Sequence, residues 1–275
     1  MSYILPIEKQ AAVIGALAEG NSIRSIERMT GIHRDTIMRL GVRVGEACAA
    51  LLDEKMRGLN CNRIEVDELW GFIGKKQKQA STEDRRAGLG DVWTFLAIDA
   101  DSKLMPSFVV GQRDSYHTKM FMDDLASRLT NRIQLSSDAM AAYPDAVERA
   151  FGSEVDFGVI VKEYASPDTE GQRRYSPPEV VAVHKTMKSG SPNVDLISTS
   201  YIERSNLTVR THCKRLARLT LSFSKKLENF KAAIALHLAY YNLVKFHSTI
   251  RCTPAMAAGV ESSAWTVTDL VDAAS

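Results

Sequence analysis

Asp67, Asp138 and Glu203 are the acids whose settings suit metal-dependent phosphoryl transfer. That chemistry needs carboxylates that hold two divalent ions about 3.5 to 4 Å apart, one serving the attacking oxygen and the other the leaving oxygen. Asp67 lies in the run RIEVDELWGFI, out of phase with Ile64 and Val66, so it points to the strand face opposite those apolar side chains. Asp138 closes the apolar run RIQLSSD, at a strand end. Glu203 sits in TSYIERSNLTVR, where helical spacing gives Glu203, Asn206, Arg210 and Lys214 one face and Ile202, Val209, Cys213 and Leu216 a second, apolar one. Such a face brings an acid, an amide and two cations to one phosphate backbone. Each acid also has a plain structural reading. Asp67 suits a wet strand face, Asp138 a helix N-cap, and Glu203 the end of a Ser200-x-x-Glu203 capping box. Their joint order, on the first strand, the fourth strand and a late helix, favours the chemical reading.

The elements that must position these acids start at Asn62, where the hydrophobic period becomes that of strands in RIEVDELWGFI, VWTFLAID and MPSFVVG. An amphipathic helix follows, capped at Ser115, with Phe121, Leu125 and Leu129 on one face. Next come the strand RIQLSSD, a helix around PDAVERAF and the strand VDFGVIVK. The order βββαβαβ is that of ribonuclease-H-like folds. The connection KKQKQASTEDRRAGLGD is long and charged, a flexible or DNA-facing loop with Lys75 and Lys76 as candidate DNA contacts. Four prolines between Glu163 and Asp195 predict an irregular loop. Helices then resume to about Phe246, with Leu227, Phe230, Ile234, Leu238 and Tyr241 facing the core.

Ahead of the strands, residues from Ile7 to Leu52 read as helix, with a break at Gly20 and Asn21 and a second start at Ser22, a favoured N-cap. The short turn Thr30-Gly31-Ile32 then joins SIRSIERM to HRDTIMRLGVRVGEACAAL. This is the helix-turn-helix pattern, with the later helix as the recognition element and Arg34, Arg39 and Arg43 as candidate DNA contacts; a plain helical hairpin used for packing is the alternative. The expected fold class is α/β: an all-α helix-turn-helix over residues 1–58, a ribonuclease-H-like mixed-sheet core with C-terminal helices over 62–260, and a tail over 261–275.

Composition sets outer limits. The chain has 275 residues and a net charge of +2, too small by itself to imply a nucleic-acid partner. Distribution says more: from Glu203 to Lys226 seven Lys or Arg stand against one acid, and none follows Arg251. Cys48, Cys61, Cys213 and Cys252 form no C-x-x-C pair, so zinc-finger and disulfide frameworks are not expected. No stretch has the length and apolar character of a membrane span, and MSYILPIEKQ lacks the order of a signal peptide, so a cytoplasmic protein is expected.

At TSYIERSNLTVRTHCKRLARLTLSFSKKLENF and YNLVKFHSTIRCTPAMAAGV, the sequence resembles bacterial transposases of the insertion sequence one family. The likeness extends through VDELWGFIGKK, SSDAMAAYPDAVERAFG and RRYSPPEV, from about Ile64 to Val260. The resemblance implies a DDE acid set matching Asp67, Asp138 and Glu203, binding of the element's inverted repeats, cleavage of the 3′ ends and joining to target DNA. It also implies that two ends are held together, hence a homo-oligomer on double-stranded DNA. Many relatives carry a cysteine zinc finger ahead of the helix-turn-helix; this sequence does not, so end recognition is expected to rest more heavily on the helix-turn-helix or to be weaker. Oxygen-only ligands favour Mg²⁺ or Mn²⁺ over zinc. His247, in FHST, is a phosphate contact by resemblance and a structural residue as a lone histidine. The rival readings are a helix-turn-helix repressor, which binds without cutting, and a nuclease of the same fold, which cuts without joining.

Overall fold

Pro6 opens α1 (Ile7–Ala18), and the chain then turns at Gly20 and Asn21 into α2 (Ile23–Thr30). The Ser22 hydroxyl caps α2 by accepting from the Ser25 amide at 3.1 Å. Gly31 ends α2 with φ of +68°, a conformation that costs glycine little and other residues more. After that turn comes α3 (Arg34–Lys55), whose Ile37, Leu40, Val44, Cys48 and Leu52 form its buried stripe. The bounds of the three helices and the turn at Gly31 lie where the sequence placed them. The computed structural model describes residues 5–165, 179–217 and 221–274.

Among the described residues, six strands form one mixed sheet in the order β3-β2-β1-β4-β5-β6. β1 (Arg63–Ile73) pairs antiparallel with β2 (Gly90–Asp99), which pairs antiparallel with β3 (Phe108–Gly111). On the other side of β1, β4 (Ile133–Ser137) and β5 (Val155–Tyr164) run parallel to it, and β6 (Val180–Ser189) closes the edge antiparallel to β5. The connection from β1 to β2 is ordered by α4 (Thr82–Arg86), where Ser81 and Asp84 make a capping box and Lys75 pairs with Asp84 at 2.8 Å.

Parallel neighbours need crossovers, supplied here by α5 (Ser115–Arg128) and α6 (Tyr143–Phe151), which pack on each other. Phe121 and Leu125 of α5 are fully buried, with the Phe121 ring 5.6 Å from that of Phe95 on β2. Each such side chain contributes about 1.5–3 kcal/mol by leaving water. The cap of α5 lies one residue earlier than expected: Asp114, not Ser115, accepts from the His117 amide at 2.9 Å.

The irregular loop expected from Glu163 to Asp195 is corrected in part, because β5 continues to Tyr164 and β6 occupies Val180–Ser189. β6 is an edge strand with mostly exposed side chains, held by its backbone pairing to β5. It therefore has none of the apolar alternation by which a half-buried strand is read. RRYSPPE falls mostly outside the described residues, as does Arg218 of the cationic run.

Of the later helices, α7 (Ser200–His212) lies against β1, and α8 (Leu227–Ala239) runs on into a π-turn at Tyr240–Val244. The expected core stripe of α8 is buried at Phe230, Ile234, Leu238 and Tyr241, while Leu227 stays exposed. α3 packs along α8 so closely that a Cβ on Gly45 would stand 2.2 Å from the Ala232 carbonyl oxygen. After α9 (Pro254–Ala257), α10 (Val267–Asp272) packs against α1, and Lys55 at the end of α3 pairs with Glu261 at 2.6 Å. No helix among the described residues is long and apolar enough to cross a membrane.

Candidate active site

β1 and β4 lie side by side in parallel, so Asp67 of β1 and Asp138, just past the end of β4, reach one place. Glu68 joins them: carboxylate oxygens of Asp67, Glu68 and Asp138 all lie within 4.8 Å of one another. Asp138 is not the cap of α6, whose N-cap is Ala142; its Oδ1 instead accepts from the Met140 amide at 3.0 Å and shapes the turn. Glu68 is buried, accepts from the Tyr143 hydroxyl of α6 and pairs with Arg113 Nε at 3.0 Å. Arg113 also stands 3.8 Å from Asp138, tying the two carboxylates to one guanidinium.

Burial pushes the Asp67 carboxyl up to about 7, with the charges of Glu68, Asp138 and Glu203 acting in the same direction and the Glu68 amide opposing them at 2.8 Å. Burial likewise raises Glu68, against its hydrogen bonds from Tyr143 and Arg113. These are groups that would ionise more readily beside a cation.

Glu203 reaches the cleft from α7. A cavity of about 300 Å³ is lined by Asp67, Asp138, Lys162, Thr199 and Glu203, among others. Lys162 of β5 pairs with Glu203 Oε1, and the Thr199 hydroxyl donates to the same oxygen at 2.6 Å. The capping-box reading of Glu203 is not what forms: the N-cap is Thr199, and its side chain makes no capping hydrogen bond to the backbone. Glu65 of β1, 4 % exposed, does that work from outside the helix. Its Oε2 accepts from the amides of Tyr201 at 2.8 Å and Ile202 at 2.9 Å, two of the donors that a helix start leaves unpaired. The register of α7 on β1 is thus fixed two residues from Asp67. Asn206, one turn after Glu203, donates to Asp67 Oδ2 at 2.6 Å, while its own Oδ1 is buried without a partner among the described residues.

An all-oxygen set with an unpartnered amide oxygen beside it and an acid held partly protonated fits a hard divalent cation such as Mg²⁺ or Mn²⁺.

Sequence reading had missed Glu65, Glu68, Arg113 and Lys162. Glu65 and Glu68 carried a signal, since each is a charge inside an apolar strand run. Arg113 and Lys162 carried none.

The expected cationic face of α7 is only partly present. The helix ends at His212 and Lys214 starts a 3-10 turn at Lys214–Leu216, so Lys214 leaves the face that Glu203 and Asn206 share. Asn206 is 7 % exposed and engaged with Asp67, and Arg210 donates to the Leu216 carbonyl at 3.4 Å. Elsewhere, Arg34, Arg39 and Arg43 are all exposed on α3, Arg43 donating to Gln10 at 2.5 Å. Lys75 is paired with Asp84, and the Lys76 ammonium lies 5.6 Å from the centre of the Trp70 ring. His247 Nδ1 accepts from the Thr249 amide at 3.3 Å in a turn. Burial raises the thiols of Cys48 and Cys61 to about 12 and of Cys213 to about 11, so these cysteines are unreactive packing residues.

Comparison with solved structures finds a piggyBac transposase synaptic complex with hairpin DNA, at 9 % identity, covering 98 % of this chain and 69 % of that one with a TM-score of 0.42. No curated protein matches the chain. A family model does match, that of the IS1 transposase, over residues 182–244, a span that holds Glu203, Asn206 and Arg210 but neither Asp67 nor Asp138. Over residues 182–244 the chain is similar to the IS1 transposase family, in keeping with its resemblance to the insertion sequence one family.

Proposed function

We propose that the protein is a DNA transposase with a ribonuclease-H-like catalytic core, which binds the inverted-repeat ends of its element, cleaves their 3′ ends and joins them to target DNA. The observation that carries the reading is that α7, inside the matched span, delivers Glu203 to the cleft that Asp67 and Asp138 line. In this reading Asp67, Asp138 and Glu203 hold the metal. Mg²⁺ or Mn²⁺ bound there would supply charge stabilisation for the attacking and leaving oxygens of an in-line displacement.

The residues around the acids have separate tasks. Asn206 aims Asp67 through its amide. Arg113 and Tyr143 hold Glu68 and keep its charge beside Asp138 without exposing it to solvent. Lys162 and Thr199 fix Glu203 and place an ammonium at the cleft, where it meets a phosphate oxygen when DNA enters. Water attacking the phosphodiester at an element end breaks the P–O3′ bond, leaving a 3′-hydroxyl on the element and a 5′-phosphate on the flank; that 3′-hydroxyl then attacks a target phosphodiester and expels the target strand's own 3′-hydroxyl, so one site suffices for both steps.

α2 and α3 serve as the helix-turn-helix, with Arg34, Arg39 and Arg43 turned to DNA. Lys75, Lys76, Arg210 and Lys214 add phosphate contacts whose contribution falls as salt rises. The protein works as a homo-oligomer, since two ends must be held at once. A strand-transfer assay with labelled end duplexes and a supercoiled target tests the reading. Joined products are expected with Mg²⁺. Cleavage without joining would make it a nuclease, and binding without cleavage a repressor.

A further inference from the structure

The second half of β1 carries an aromatic patch on the strand face that Glu68 also occupies. Side chains alternate along a strand, so Glu68, Trp70 and Phe72 share one face. Trp93 of β2 is the cross-strand partner of Trp70 and stands beside it there. Phe223 extends the patch: the chain at Ser224 bridges in parallel to Ile73, and the Phe223 ring lies 5.0 Å from that of Phe72. Elsewhere on this face helices close over the sheet, with Glu68 under Tyr143 of α6 and Phe95 under Phe121 of α5. Trp70, Phe72, Trp93 and Phe223 all remain partly exposed.

The rings are held in place. Arg215 Nη1 donates to the carbonyls of Ser222 at 3.1 Å and Phe223 at 3.3 Å, and the Gly74 amide donates to the Ser224 carbonyl at 2.8 Å, which keeps Phe223 against Phe72. Cations lie over them. The Lys76 ammonium is 5.6 Å from the centre of the Trp70 ring and 5.9 Å from that of Phe72. The Arg113 guanidinium is 5.2 Å from the centre of the Trp93 ring while its Nε pairs with Glu68 at 3.0 Å, so a single side chain joins the patch to the acid cluster. Lys225 and Lys226 are exposed just after Phe223. Asp91, which pairs with Phe72 across the ladder, has its Oδ1 engaged by the Gln77 amide at 2.8 Å.

We infer that this patch is a shelf for an unpaired stretch of DNA strand beside the acid cleft. Bases stack on the rings of Trp70, Trp93 and Phe72, and phosphates meet Lys76 and Lys225. In the free protein the Lys76 ammonium rests over the rings; a base takes that place and the lysine turns to the neighbouring phosphate. Rings interleaved with cations suit a chain that alternates flat bases with anions. A duplex keeps its base faces against one another, so the shelf selects unpaired strand, and since every base has a flat face it reads no sequence. Continuity with the cleft sets where that strand lies: Trp70 is two residues beyond Glu68, about 7 Å along β1. The inference rests on the proposed function for its occupant, the strand next to the cleaved phosphate.

The test is fluorescence-anisotropy titration of the full chain, in EDTA, with labelled duplexes that are blunt, extended by a run of unpaired thymidines, or extended by a run of abasic sites. The thymidine extension should bind about tenfold more tightly than the blunt end, and the abasic one should fall well short of it. Trp70 and Trp93 are two of the three tryptophans, so the thymidine extension should also quench intrinsic fluorescence where the abasic one does not. Trp70→Ala should lose the tenfold gain and Trp70→Phe should keep most of it. Lys76→Glu should cut the gain to about twofold and lower its salt dependence. Lys76 is exposed, so that variant remains informative where Trp70→Ala does not fold. Equal binding of blunt and thymidine-extended duplexes overturns the inference, as does an abasic extension that matches the thymidine one, or an undiminished gain in Lys76→Glu or in a folded Trp70→Ala. Should these variants instead change the oligomeric state in sedimentation and leave the gain intact, the patch is a contact between copies and the inference falls. The strand-transfer assay fails separately: a preference for unpaired strand without joined products leaves the shelf assigned and removes the transposase reading, and joined products without the preference do the reverse.

Discussion

The Asn206 amide donates to Asp67 Oδ2 at 2.6 Å, joining α7 to β1 at the acid with the most perturbed environment in the cleft. Asn206 lies three positions after Glu203, so one hydrogen bond sets the distance between two elements that each carry an acid. Removing it in Asn206→Leu should lower end cleavage by about 10- to 100-fold, the range for loss of a partner that orients a metal ligand. Asn206→Asp should do worse, adding a further like charge beside Asp67, Glu68, Asp138 and Glu203. The check is single-turnover cleavage at saturating DNA over a Mg²⁺ series; wild-type rates in Asn206→Leu would remove the positioning role.

Asp67 also gives the metal-free protein a pH signature. Its folded value of about 7 lies above the unfolded 3.8. Below pH 3.8 the carboxyl is protonated in both states and costs nothing. Between 3.8 and 7 the unfolded chain gives up the proton first, so stability is lost as pH rises; above 7 the loss is constant. At about 1.4 kcal/mol per pKa unit the limit is roughly 4 kcal/mol. Other groups titrate in this range, so the quantity to measure is the difference between Asp67→Asn and wild type in thermal melts with EDTA. It should grow in favour of the variant from pH 4 to pH 7 and then level off, and Mg²⁺ should shrink it. A difference that does not vary with pH would place Asp67 in an ordinary solvated setting.

Lys162 holds Glu203 with an ammonium where a divalent ion would sit in competition. Lys162→Ala should lower the Mg²⁺ concentration for half-maximal cleavage by about two- to fivefold, the worth of a partly exposed ion pair. The same change should weaken DNA binding in low salt. A rise in the Mg²⁺ requirement would mean that the hold of Lys162 on Glu203 outweighs any competition between its ammonium and the ion.

Much of this arrangement was legible in the sequence, for physical reasons that differ by element. Ser22 and Gly31 marked the bounds of α2 because capping and positive φ are local properties. The strands from β1 to β5 showed because each buries a face against helices, which imposes an apolar period. β6 did not show, because its backbone pairing leaves no mark on side-chain type. At the site, Asp67 was legible as a charge out of phase in an apolar strand. Glu68 was read past because it shares the phase of Ile64 and Val66, where a charge is expected only with partners. Those partners, Tyr143 and Arg113, lie far along the chain. Lys214 was assigned to the helix face because spacing gives no warning that α7 ends at His212.

The α3–α8 contact sets another limit. Gly45→Leu places a side chain where a Cβ alone would meet the Ala232 carbonyl at 2.2 Å, so α3 must move off α8. Overpacking of this kind costs about 1–3 kcal/mol and more where backbone must shift. Denaturant unfolding should show a loss at or above that range. An unchanged midpoint would mean that the two helices are not held as described.

The central claim is that Asp67, Asp138 and Glu203 act together with a divalent ion on DNA. The most direct measurement is cleavage of an end-bearing duplex by wild type, Asp67→Ala, Asp138→Ala and Glu203→Ala, each with Mg²⁺ and with EDTA. The account predicts cleavage by wild type only with Mg²⁺, and rates lower by about 10³-fold or more in every variant, with duplex binding retained. Full activity in any one variant, or cleavage by wild type in EDTA, would contradict it.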